Sequence, residues 1–150
     1  YYQQALKISR EIGDRRGEAN RLGNLGQMAY ADLGEPRKAI EYYEQALRIS
    51  REIGDRGGEA NRLGSLGLAH FHLGEPRKAI KYYEQALKIF REIGDRRGEG
   101  ADRFNLSLSL DKLGQRAKAI DLAESALEIF EQIESPSAEI VRKVLAEWKS

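Results

Sequence analysis

Glu75-Pro-Arg-Lys-Ala-Ile-Lys-Tyr-Tyr-Glu-Gln-Ala-Leu-Lys-Ile-Phe-Arg-Glu-Ile-Gly-Asp95 is the stretch that decides the fold. It occurs almost letter for letter from Glu35 to Asp55, and a degraded copy runs from Gln115 to Ser135. The tail of a further copy opens the chain at Tyr1. Asp14, Asp55 and Asp95 mark the same point in three copies, 41 and then 40 residues apart. A period near 40 built from two helical halves is the mark of a helical solenoid, in which each unit buries its apolar face only against its neighbours.

Within one unit, Leu63, Leu66, Ala69 and Leu73 recur at spacings of three and four, which puts them on one stripe of a helix from about Arg56 to Leu73. Gly74 supplies the left-handed stop, and Pro76 suits the first turn of the next helix, where a missing N–H costs nothing. That second helix runs to about Ile93. Ala79, Ile80, Tyr83, Ala86, Leu87, Ile89, Phe90 and Ile93 give it a broad apolar surface. Gly94 ends it, and Asp95 can cap the helix that follows. Links of two or three residues require antiparallel neighbours. No segment alternates with period two, so no strands are expected.

The one irregularity can be placed. Eight residues separate Leu25 from Leu33, but seven separate Leu66 from Leu73, so the first full unit carries an extra residue near Gln27 or Met28. One added residue rotates a regular helix by about 100°. The expectation is a single-turn π-bulge or a helix that starts in a shifted register.

The pattern Leu63-x-x-Leu66-Gly67-x-x-His70-x-x-x-Gly74-x-x-x-x-Ala79-x-x-x-Tyr83-x-x-Ala86-Leu87 resembles the tetratricopeptide repeat signature. Leu22, Leu25, Gly26, Gly34, Ala39, Tyr43, Ala46 and Leu47 repeat it in the copy before. The long period and the junctions Arg51–Glu59 and Arg91–Glu99 resemble the extended repeats of kinesin light chain, of spindle-orientation adaptors and of bacterial signalling arrays. The resemblance implies an all-α, right-handed solenoid of antiparallel helix pairs that binds proteins. Arg103, Ser107 and Ala123 depart from the signature in the last copy, which suits a terminal repeat whose outer face meets water.

The expected organisation is one domain over 1–150. Residues 1–13 form the second helix of a truncated repeat, 14–54 and 55–94 are full repeats, and 95–134 is a divergent one. Residues 135–150 form a capping helix, with Ser135 as cap and a stripe of Ile140, Val141, Val144, Leu145 and Trp148 laid over Leu127, Phe130 and Ile133. Because the sequence opens in the middle of a repeat, it reads as a piece of a longer array. Tyr1, Tyr2 and Leu6 would then form an open apolar edge able to pair with a second copy as a homo-dimer.

Composition narrows the function classes. The 25 basic and 24 acidic residues nearly cancel, which argues against a nucleic-acid binder. No Cys is present, so disulfides and thiolate metal sites are out. No apolar run approaches the roughly 20 residues that cross a membrane. Cytoplasmic is the default compartment. His70 and His72, the only histidines, diverge by about 200° on a helix and cannot share a metal. No catalytic set, cofactor motif or phosphate loop is found, and an enzyme is not expected.

What remains is the groove. In a curved stack the first helix of each pair lines the concave side. Positions on that helix outside the leucine stripe are Asn20, Gly23, Asn24, Gln27 and Ala31 in the first full repeat. In the second they are Asn61, Gly64, Ser65, Leu68 and His72, and in the third Ala101, Phe104, Asn105, Leu108 and Lys112. Amides can donate to and accept from a peptide backbone, and Gly23 and Gly64 would let it come close. The expected function is a scaffold holding a peptide or partner helix there. The alternative is a structural, self-assembling array, either a natural fragment or a near-consensus engineered piece. The resemblance adds one exclusion. Chaperone-binding members hold a C-terminal carboxylate with lysine, arginine and asparagine at positions matching Gly23, Gln27, Leu68, Ala101 and Asn105, and only Asn105 fits. Spindle-orientation adaptors place Arg or Lys where Asn20 and Asn61 stand, so their acidic-peptide preference is not implied here.

Overall fold

A computed structural model describes residues 2–11 and 13–150, and the side chains of these except Ser9 and Glu11. Its helices are α1 Tyr2–Glu11, α2 Arg15–Gln27, α3 Pro36–Glu52, α4 Arg56–His72, α5 Pro76–Ile93, α6 Arg96–Lys112, α7 Arg116–Gln132 and α8 Ser137–Lys149. No strand occurs among the described residues. Each helix packs against the next, as short links demand.

The boundaries follow the capping chemistry read from the sequence. Oδ1 of Asp14, Asp55 and Asp95 accepts the N–H of Gly17, Gly58 and Gly98 at 2.9, 3.0 and 2.9 Å. Pro36 and Pro76 open α3 and α5. Every helix from α1 to α7 is followed by a residue of positive φ: Gly13, Gly34, Gly54, Gly74, Gly94, Gly114 and, alone without glycine's freedom, Glu134 at φ 54°.

The extra residue of the first repeat is absorbed as a π turn over Met28–Asp32, which continues α2. The Leu33 N–H reaches the Met28 carbonyl, five residues back, at 3.2 Å. The bond closing the helix spans six residues, Glu35 N–H to Ala29 O, where the other first helices span five, as in Glu75 to His70. The bulge keeps Leu22, Leu25 and Ala29 all buried, so the insertion does not turn the stripe to water. The shifted-register alternative is not what forms.

The core is a row of clusters between successive helices. Tyr43 and Tyr83 are almost fully buried and lie against Gly26 and Gly67. A methyl group on Gly67 would sit 2.7 Å from Tyr83 Cε1, so the close approach of α4 and α5 needs glycine there. At the C-terminal end Val141, Leu145 and Trp148 of α8 pack with Phe130, Leu127 and Ile133. Ile140 is a correction. It is 58% exposed, because α8 turns it toward the inner face instead of the core.

The junction residues are explained by ion pairs that recur with the repeat. Glu18, Glu59 and Glu99 each receive an arginine from the preceding helix (Arg10, Arg51, Arg91) and one from their own first turn (Arg15, Arg56, Arg96). The first-turn arginines also reach forward to Glu52, Glu92 and Gln132. The arginines are about half exposed while the three glutamates are largely buried, so these pairs are better sheltered than fully exposed ones, which contribute about 0–1 kcal/mol each.

The self-association edge is also laid out differently from expectation. Tyr1 lies outside the described residues. Leu6 is only 7% exposed, because it joins Leu22, Leu25, Ala46 and Ile49 in the chain's own core, and Tyr2 packs on the same cluster. Ile8, 52% exposed, is the apolar residue this helix leaves outside.

Candidate functional site

The first helices crowd together on one side of the stack. α4 touches α6 directly, beyond its contacts with α3 and α5. Two glycines make this possible, and they revise the sequence reading. A methyl on Gly23 would fall 2.4–2.8 Å from the guanidinium of Arg62, and one on Gly64 would fall 3.2 and 3.3 Å from the two carboxylate oxygens of Asp102. The space at Gly23 is therefore taken by the next repeat, and that at Gly64 is narrowed by Asp102 on one side. Gly23 is buried and offers no surface to a ligand backbone.

Arg21, Arg62 and Asp102 occupy the same position in successive repeats. Arg62 and Asp102 each lean back onto the first helix before their own. Burial pushes the Arg62 guanidinium below its ordinary pKa, against the opposing charges of Tyr43 and Asp55. Burial also lifts Asp102 to about 7, with a smaller push from the negative charge of Asp95. Asp102 is 6% exposed, and its Oδ2 has no hydrogen-bond partner among the described residues.

Asn61, Gly64, Ser65, Leu68 and Asn105 line one cavity of about 240 Å³ between α4 and α6, with Asp102, Ala101 and Phe90. Ser65 Oγ donates to the Asn61 carbonyl at 3.0 Å and so ties itself to its own helix. A second cavity of about 200 Å³ shares Ala101 and Asn105 and is walled by Phe104, Phe130 and Ile140. The two are neighbours along α6, one polar at its base and the other apolar.

The other expected residues are scattered. His72 and Lys112 face a separate hollow with Phe71 and Pro76. The His72 ring contacts the Tyr30 hydroxyl through Nδ1. Asn20 and Gln27 are exposed on α2, Asn24 is half-buried there, and Gln27 Oε1 lies 3.5 Å from the Tyr43 hydroxyl that donates to it. Leu108 is half-buried on α6. His70 is buried, stacks on Tyr82 with centroids 5.2 Å apart, and places Nδ1 3.2 Å from Glu75. The histidines thus serve different neighbours.

Asp102 is the site residue the sequence reading missed. The available signal was the reversal of charge at a position that is arginine in both earlier copies. Among the described residues no group of three His, Cys, Asp or Glu is placed to hold a metal, and no helix is long and apolar enough to cross a membrane.

The family model of the tetratricopeptide repeat matches residues 1–52 and 58–132. No curated protein matches the chain. Among solved structures, the apo form of RapI superposes with a TM-score of 0.91 at 19% identity, over 99% of this chain and 54% of RapI. Aspartyl phosphate phosphatase F from Bacillus subtilis gives 0.89 at 17% identity, over 98% of this chain and 39% of that one. A signal-transduction ATPase with a tetratricopeptide repeat sensor from Pyrococcus horikoshii gives 0.85 at 26% identity, over 98% and 23%. The chain thus spans about half of RapI and less of the other two.

Proposed function

We propose, from the premise that this chain belongs to the tetratricopeptide repeat family, that it is a protein-interaction module whose inner groove holds an extended peptide or a partner helix. The family's repeats generally mediate contacts between proteins. The observation that carries the finer reading is the α4–α6 cavity, which six of the positions expected from spacing alone line together. Stacked helices expose few backbone donors, so an amide ladder of Asn24, Asn61 and Asn105 is the natural means of holding a main chain.

The test is selection from a displayed random-peptide library against the whole chain. Binders are then measured on Asn61→Ala, Asn105→Ala and Leu68→Ala variants, with Glu44→Ala and Arg48→Ala on the outer face as controls. The groove reading predicts at least tenfold weaker binding in the first set and none in the second. Equal losses in both sets, or losses only in the controls, overturn it.

A further inference from the structure

We infer, building on the groove reading above, that Asp102 anchors a lysine or arginine side chain of the bound peptide, and that the adjoining cavity takes a bulky apolar side chain beside it.

A carboxylate at this depth is costly unless a cation or several donors meet it. Here Oδ2 is sealed from solvent and has no donor among the described residues. The Arg62 guanidinium lies over Gly23 of α2, and Arg103 turns its two terminal nitrogens to Glu99, at 2.5 Å, and to Ser125, leaving only its Nε without a partner among the described residues. The Asp102 side chain lines the 240 Å³ cavity, so a cation seated there lies against its carboxyl group and a small turn of that group brings Oδ2 to it. Asn61 and Asn105 at the rim can accept the donors of an ammonium or guanidinium that Asp102 leaves over.

The apolar half rests on separate residues. Ile140 is more than half exposed on a helix whose other large apolar residues are turned inward. It faces Phe104 across the 200 Å³ cavity. Since both cavities share Ala101 and Asn105, one short segment can fill both, and the occupant is a peptide with a basic residue close to an aromatic or aliphatic one.

Binding a cation should favour the ionised carboxylate. A proton then leaves Asp102 on binding near pH 7, and affinity falls as pH drops from 7.5 to 6. The titratable groups that act on it are Asp95 at the α6 cap and Tyr83 from α5, neither of which has its ordinary transition in that range.

The experiment uses the library-selected peptides. The expected result is enrichment of Lys or Arg at a fixed offset from a bulky apolar residue, with at least tenfold weaker binding to Asp102→Asn. Asp102→Arg, which copies the side chain tolerated at Arg62, should shift selection toward Asp and Glu. On the unaltered chain, calorimetry in buffers of different ionisation enthalpy should show proton release at pH 7. If selected peptides lack basic residues and bind Asp102→Asn equally, while Asn61→Ala and Asn105→Ala still weaken them, this inference fails and the groove reading stands. If none of these variants matters, both fail.

Discussion

Replacing Asp102 with Asn should flatten the pH dependence of stability, by an amount that can be worked out. In the folded chain burial lifts the carboxyl from 3.8 to about 7, assisted by Asp95. The folded state therefore holds a proton that the unfolded state has already lost. Stability contributed by this proton is complete below pH 4 and drains away as pH rises through 7. Each unit of separation is about 1.4 kcal/mol, so the loss between pH 5 and 8 is about 3 kcal/mol. For a chain of this size that is roughly 6–12 °C in Tm. The Asn variant carries no such proton. Urea unfolding of both chains at pH 5, 6, 7 and 8 measures the difference, and every group common to both cancels. The Asn variant should overtake the parent as pH rises. Parallel curves would mean that Asp102 is solvated or paired, and would refute the reasoning.

Other outcomes follow from the packing. Glu134→Gly should raise stability by about 1 kcal/mol in a thermal melt, since among the described residues Glu134 alone holds a left-handed stop without glycine. Gly67→Ala should cost about 1–3 kcal/mol through its clash with Tyr83, and Tyr83→Leu in the same chain should recover part of that. Leu66→Ala should cost about 2–5 kcal/mol, because the side chain is fully buried. Deleting Gln27 restores the shorter period, so amides from residue 29 to 33 should gain hydrogen-exchange protection as the π turn becomes regular helix. Unchanged exchange would count against the bulge.

Most helix boundaries were legible because they rest on local chemistry: an aspartate cap, a first-turn proline, a glycine stop. The insertion was legible because copies could be compared letter by letter, and only its form, a π turn, needed coordinates. Contacts made across the repeat were not legible. Gly23 and Gly64 looked like openings for a ligand, yet their partners Arg62 and Asp102 lie nearly forty residues away and differ in charge. Leu6 was read as an open edge, because nothing local shows that α1 lays it onto α2. Ile140 matched an apolar stripe by spacing, but the rotation of α8 on α7 decides which edge of that stripe is covered.

The position of a bound ligand separates the inner groove from every other surface of the chain. Amide chemical-shift mapping of the labelled chain, titrated with a library-selected peptide, tests this most directly. The largest shifts should fall on α4 and α6, at Asn61, Ser65, Leu68, Asp102 and Asn105. Shifts confined to Glu44, Arg48 and Gln85 on the outer helices, with α4 and α6 unmoved, would contradict it.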